Sequence, residues 1–269
     1  MPEKTTDKHS AWVLDGILNL EEFSKYHRKF DNAGFVGLYN NVYSKRKKDF
    51  EKQWWASESE MLGRFVFAKN VIDWSRVAYW LDLGCGAGDF FRLVLENKGQ
   101  QVQEIVGVDM TNSLLGISSA KLEKFNLKKE FINKNITGIN FNRKFDLITL
   151  SGVLQTLDIE QIPVLMDKIS SCLKPGGQLW FDTLNYEHSR QRKWSDLWTF
   201  KMNELVKLFE HYGFREIKAD TFDTTPEIGI SKTGLMLSCH GILESSTPVD
   251  YGESGARFAP ASNENGRAI

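Results

Sequence analysis

"LDLGCGAGDF", Leu81 to Phe90, sets three glycines between two aspartates at the end of the apolar run "VAYWLDL" (77–83). A turn with so little side-chain bulk lets backbone approach a ligand. The segment that follows, "DFFRLVLEN" from Asp89, reads as a helix, so the stretch is a strand, a glycine turn and a helix in order. In doubly wound α/β sheets such a turn lies at the carboxyl edge of the strands, where ligands bind.

The rest of the chain repeats this unit. Short apolar runs at 77–83, 104–110, 130–136, 145–151, 177–184, 214–222 and 234–242 read as strands, and segments with apolar residues at helical spacing separate them (Leu114, Ile117 and Leu122, then Ile162, Leu165 and Ile169). The last two runs break the rhythm, because only "DTTPEIGISKT" lies between them and a parallel crossover needs a dozen residues or more. The expected fold is therefore α/β: a doubly wound, seven-stranded, mostly parallel sheet whose last strand is antiparallel.

Residues 1–70 read as a helical N-terminal cap with a flexible start. Fourteen aromatic residues fall between Phe23 and Trp80, about twice the chain's average density, and as a group they suit a cap that lines a hydrophobic pocket. Residues 71–242 form the expected ligand-binding domain. After it, 243–269 turn to Ser, Gly, Asn, Pro and Glu and read as a disordered tail.

With 269 residues, 41% of them hydrophobic, and a net charge of -1, the chain can bury a full core and offers no broad basic surface to nucleic acid or an anionic membrane. No run approaches the roughly 18 apolar residues of a membrane span. Cys85, Cys172 and Cys239 lie far apart without a CxxC pair, which points to no zinc site and to a reducing, cytoplasmic setting.

Charge narrows the ligand. The spacing is GxGxG (Gly84, Gly86, Gly88), not the GxGxxG of dinucleotide sites. Asp82 and Asp89 flank the turn and oppose a pyrophosphate, but they suit a ligand bearing an α-amino group and a sulfonium, as in S-adenosylmethionine. Asp109 ends the second strand, 21 residues after Gly88, where a carboxylate can accept both ribose hydroxyls; Met110 would lie beside the adenine. A solvated or helix-capping aspartate is the alternative for Asp109.

Leu81–Phe90 together with Val108 and Asp109, "FDLITLSGVLQTL" (145–157) and "LKPGGQLWFDTLN" (173–185) resembles the class I S-adenosylmethionine-dependent methyltransferases, over residues 70 to 242. The insertion after the fifth strand, within "FDTLNYEHSRQRKWSDLW" (181–198), and "KMNELVKLFEHYGF" look more narrowly like the small-molecule branch, including ubiquinone-biosynthesis-type O-methyltransferases. The resemblance implies that the backbone at Gly84, Cys85 and Gly86 holds the methionine part and that Asp109 clamps the ribose. Ser151 and Gly152 would face the amino acid part and the sulfonium. Asn135, beside Ile136, stands where such enzymes commonly carry an acidic acceptor for the adenine amino group, and its amide oxygen is expected to serve instead.

Methyl transfer to a phenol gains from a general base, whereas a neutral amine or thiolate needs none. His188, in the polar segment after the fifth strand, is the candidate base, with an exposed loop histidine as the alternative; Tyr186 and Glu187 are weaker candidates. His211 and His240 read as structural. Asp182 and Asn185 are possible cation ligands but lack a third, so no metal is expected. The leading expectation is an enzyme acting on a hydroxyl or amine of a small, partly apolar metabolite. The alternatives are a protein methyltransferase, a scaffold subunit that binds the cofactor without turnover, and a dinucleotide oxidoreductase.

Overall fold

The computed structural model describes residues 58–97, 101–188, 199–222 and 236–244, with Lys47 and Lys48. Helix α1 (Glu58–Val71) leads into strand β1 (Tyr79–Leu83), then α2 (Asp89–Asn97), β2 (Glu104–Asp109), α3 (Asn112–Leu122), β3 (Lys128–Asn133), β4 (Phe145–Ser151), α4 (Gln161–Cys172), β5 (Leu173–Leu184), α5 (Met202–His211), β6 (Phe214–Phe222) and β7 (Met236–Leu243). The seven strands form one sheet in the order β3-β2-β1-β4-β5-β7-β6. Strands β1 to β5 pair in parallel, and β7 runs antiparallel to both β5 and β6.

Side chains on a strand alternate between the sheet's faces, so a central strand buried on both sides is apolar at every position. Leu81, Val106, Ile148, Leu179 and Phe181 accordingly join a core with α4 and α5 on one face. Their immediate neighbours Trp80, Ile105, Leu147 and Trp180 join a second core with α1, α2 and α3 on the other. Aromatic side chains dominate this second core: Phe65 of α1 stacks on Phe90 of α2 at 4.8 Å, and Trp80 meets Phe91 edge-on at 4.5 Å. Each such pair contributes roughly 0.5–1.5 kcal/mol beyond its burial. The described part of the aromatic-rich N-terminal region thus packs as core continuous with the sheet.

Strand boundaries shift where charge or glycine interrupts the apolar signal. β3 occupies 128–133, earlier than the expected 130–136, because Asn135 caps a short 3-10 turn over Ile136–Gly138. β5 begins at Leu173, earlier than the expected 177, and its register against β4 shifts between Phe145 and Leu147. The end opposite the glycine turn is tied by His240 of β7. Its Nε2 bonds Gln178 Oε1 (3.1 Å), which also accepts the Asp73 N–H, and Gln178 Nε2 donates to the Asp73 carbonyl. Burial pulls the His240 pKa down to about 4, with Lys218 nearby acting in the same direction. The imidazole is neutral and structural.

The expected tail from Ser245 onward, most of residues 1–57 and the segment 189–198 lie outside the described residues.

Candidate active site

The sheet reverses its strand order between β1 and β4, and the glycine turn sits there, at the carboxyl edge. The Gly84 and Cys85 N–H groups donate to the Val108 carbonyl (2.7 and 3.1 Å), which fastens the turn to β2. Gly84 adopts φ +82°, and a Cβ there would drive into Val153. A side chain at this position has neither the conformation nor the space.

Asp109 sits half-buried at the end of β2. Its Oδ2 accepts the Gly86 N–H (3.0 Å) and its Oδ1 the Thr111 N–H (2.8 Å). One carboxylate thus fixes both the glycine turn and the start of α3. The capping role weighed as the alternative is present, and the Thr111 hydroxyl and the Met110 amide also bond the carboxylate, so a ligand hydroxyl would share or displace one of these partners. Burial raises the Asp109 pKa, and the Thr111 and Gly86 amides oppose that rise. Met110, half-exposed, follows directly.

Asp82 lies 3% exposed below the turn. Trp80 Nε1 donates to Thr149 Oγ1 (2.8 Å), and that hydroxyl donates its own proton to Asp82 Oδ1 (2.6 Å). Burial pushes the Asp82 pKa up to about 7, against the pull of Thr149 and Arg64.

Two sequence-based expectations need correction. Asp89 is not a charge facing the ligand: it is buried and paired with Lys121 Nζ at 2.6 Å and with Arg92 at 3.8 Å. The electrostatic case against a pyrophosphate therefore passes to Asp82 and Asp109. Asn135 Oδ1 accepts both the N–H and the hydroxyl of Thr137 (3.0 and 2.9 Å), so both its lone pairs are engaged and an adenine amino group would have to displace one. Ile136 is a core side chain.

At the end of β4, Ser151 Oγ donates to Asp182 Oδ2 (2.8 Å) and the Gly152 N–H to Asp182 Oδ1 (2.6 Å). Arg64 of α1 completes the group, its Nη1 lying 3.7 Å from Asp182 Oδ1 with both side chains buried. A Cβ on Gly152 would approach Arg64 Nη1 to 2.6 Å. Asp182 is therefore a structural acceptor. Arg64 escaped the sequence reading, although an arginine inside the apolar run "MLGRFVFA" is a detectable signal of a buried, paired charge.

His188 is buried rather than exposed, and its N–H donates to the Asn185 carbonyl (3.2 Å). The base of the insertion is closed: the Tyr186 N–H donates to the Phe200 carbonyl (2.9 Å), and the Phe200 N–H to the Leu184 carbonyl (3.0 Å). Nearby, Leu184, Phe222 and Met236 form a small apolar cluster, with Phe67 of α1 stacked on Phe222 at 4.5 Å. Among the described residues, no three His, Cys, Asp or Glu side chains gather as a metal site would require, and no helix is long and apolar enough to cross a membrane.

The chain is similar to ubiquinone biosynthesis O-methyltransferases, at 28% identity over 105 residues in Nitrobacter winogradskyi (39% of this chain, 38% of the relative) and 26% over 151 residues in Azoarcus sp. (51% and 60%). These matches span between about two fifths and three fifths of the relatives' length. In fold it is similar to the N-methyltransferase NodS from Bradyrhizobium japonicum, solved with S-adenosyl-L-homocysteine (TM-score 0.61, 17% identity, 79% of this chain and 98% of that one). Magnesium protoporphyrin IX methyltransferase from Synechocystis superposes with a TM-score of 0.55 at 12% identity, over 79% and 99%. The methyltransferase-domain family model matches residues 64–219, more than half of the chain, and the protein belongs to that family.

Proposed function

We propose that the protein transfers a methyl group from S-adenosylmethionine to a hydroxyl or amine of a small, partly apolar acceptor. The observation that carries this reading is the glycine turn held by Asp109 at the point where strand order reverses, with the buried Asp82 beneath it. The relatives are named for methylating oxygen and the structural neighbour NodS for methylating nitrogen, which supports both acceptor types.

The residues fit the cofactor's parts. Backbone at Gly84 to Gly86 takes the methionine moiety, and Asp109 at the end of β2 accepts the ribose hydroxyls. Ser151 and Gly152 form the rim that faces the amino acid part, and Arg64 behind them supplies positive charge toward its carboxylate. The cofactor supplies a methyl carbon already activated by its sulfonium. The protein's task is then to hold the acceptor's lone pair in line with that carbon, and positioning of this kind has effective molarities on the order of 10⁵ to 10⁸ M. For a hydroxyl acceptor, His188 takes the proton that leaves oxygen. The apolar cluster of Phe67, Leu184, Phe222 and Met236, at the same sheet edge, suits an acceptor with an apolar face.

Calorimetric titration with S-adenosylhomocysteine, with NAD and NADP as controls, tests the cofactor. Binding of the thioether alone is expected. Binding of neither class would overturn the cofactor assignment and with it the methyl-transfer reading.

The expected result for His188→Ala is a fall in turnover of about 10²- to 10⁴-fold with a hydroxyl acceptor and an unchanged affinity for S-adenosylhomocysteine. Equal turnover in the variant would remove His188 from the chemistry.

A further inference from the structure

Glutamine is mostly a surface residue, and a buried one is normally held by hydrogen bonds. Gln155 is buried, yet only one end of its amide is held. It follows β4 in a short 3-10 turn, Leu154–Thr156, and is 7% exposed, with Leu154 and Leu157 on either side of it sunk into the core. Its Oε1 accepts the Thr183 hydroxyl of β5 (3.1 Å). Its Nε2 donates to no acceptor among the described residues, although a primary amide carries two N–H donors there. A buried donor without a partner is costly, and a ligand that completes it accounts for its being kept.

The position of that donor is set from two sides. Thr183 ties the carbonyl end of the amide to the carboxyl end of β5, one residue before Leu184 of the apolar cluster. The amino end lies beside Gly152, where an added Cβ would be 3.8 Å from Nε2 and 2.6 Å from Arg64 Nη1. Gly152 is partly exposed, and with glycine there no side chain covers the amide from that side. Arg64 is engaged with Asp182 at 3.7 Å. Gln155 therefore brings its N–H groups to the Gly152 rim of the methyl-donor site from the side of β5, where the apolar cluster also stands. That is where an acceptor's reacting atom has to lie.

We propose that Gln155 binds the acceptor, its Nε2 donating to the oxygen that takes the methyl group, and that this bond selects a hydroxyl over an amine. The inference rests on the methyl-donor reading and narrows its acceptor class. An oxygen has a lone pair to spare. One pair forms the new O–CH3 bond as the C–S bond breaks and leaves its electrons on sulfur, a second accepts from Nε2, and the hydroxyl proton goes to His188. A neutral amine nitrogen has a single lone pair, and an N–H aimed at it competes with the methyl carbon. The group that positions oxygen thus discriminates against nitrogen.

The test is methyl transfer by the full chain from S-adenosylmethionine to para-butylphenol, butylcatechol and para-butylaniline, with products identified by mass spectrometry and S-adenosylhomocysteine affinity measured in parallel. The parent is expected to methylate oxygen in preference to nitrogen. Gln155→Glu keeps the length and an acceptor for Thr183 but offers no donor. It is expected to lower kcat/KM at least tenfold for the phenols and little for the aniline, so that the oxygen-over-nitrogen ratio falls by a similar factor. Gln155→Met, which adds no charge, should move the ratio in the same direction, and both variants should keep the parent's affinity for S-adenosylhomocysteine. A ratio unmoved in both variants, including equal losses on oxygen and nitrogen, would assign Gln155 to holding the turn and overturn the inference. A parent that prefers the aniline, or that binds S-adenosylhomocysteine and methylates neither phenol, overturns it as well. Each of these results leaves the methyl-donor reading standing, whereas failure to bind S-adenosylhomocysteine overturns both.

Discussion

Replacing Asp182 by alanine is expected to lower the unfolding free energy by about 3–5 kcal/mol, the range for removing one partner of a buried ion pair. Asp182 is fully buried and Arg64 is 4% exposed, so the guanidinium left behind has no access to bulk water to compensate. The Ser151 hydroxyl and the Gly152 amide lose their acceptor in the same step. Removing both charges differs in kind: Arg64→Met with Asp182→Leu takes out the guanidinium with its carboxylate, and this double variant should recover part of the lost stability, the Ser151 hydroxyl and the Gly152 amide still lacking their acceptor. Urea unfolding at pH 7 reads both numbers. A loss below about 1 kcal/mol for Asp182→Ala would mean that water reaches the pair and that it behaves as a surface salt bridge. The double variant should still bind S-adenosylhomocysteine more weakly than the parent, because part of the stability returns while the positive charge behind the Gly152 rim does not.

What the linear chain discloses about this site depends on the range of the interaction. The glycine turn, the strand before it and the helix after it are contiguous, so residues 77–97 carry their own evidence, and "DTTPEIGISKT" between the last two apolar runs is too short for any connection but an antiparallel return. Edge strand β3 was displaced because Lys128, Lys129 and Glu130 replace the apolar signal there with charge, as edges commonly do. The Arg64–Asp182 pair joins residues 118 positions apart, and Asp89 finds Lys121 across 32 positions. No local pattern announces either pair, so Asp89 read as free charge and Asp182 as a possible cation ligand. The capping role of Asn135 was missed for a different reason. An Asn two residues before a Thr is a local Asx-turn signal, and it lost to the expectation that this place holds an adenine acceptor. His188 was legible as a candidate, whereas its burial depends on tertiary packing that no local pattern shows.

The largest loss of cofactor affinity is expected from Asp109→Ala: at least tenfold for S-adenosylhomocysteine, since a hydrogen bond to a charged group contributes roughly 1.5–3 kcal/mol. Two routes lead to that loss. Asp109 is a direct acceptor for the ribose, and it is also the clamp that holds the Gly86 and Thr111 amides in place. A cofactor analogue lacking the ribose 2′- and 3′-hydroxyls separates the two, because it forfeits the first route in the parent protein and retains the second. If the carboxylate meets the ribose, Asp109→Ala should cost the dideoxy analogue markedly less than it costs S-adenosylhomocysteine, and the difference between the two losses is the coupling between that side chain and those hydroxyls. Equal losses would assign the whole effect to the turn, and the ribose would then need another acceptor. Retention of full affinity for S-adenosylhomocysteine would exclude both routes.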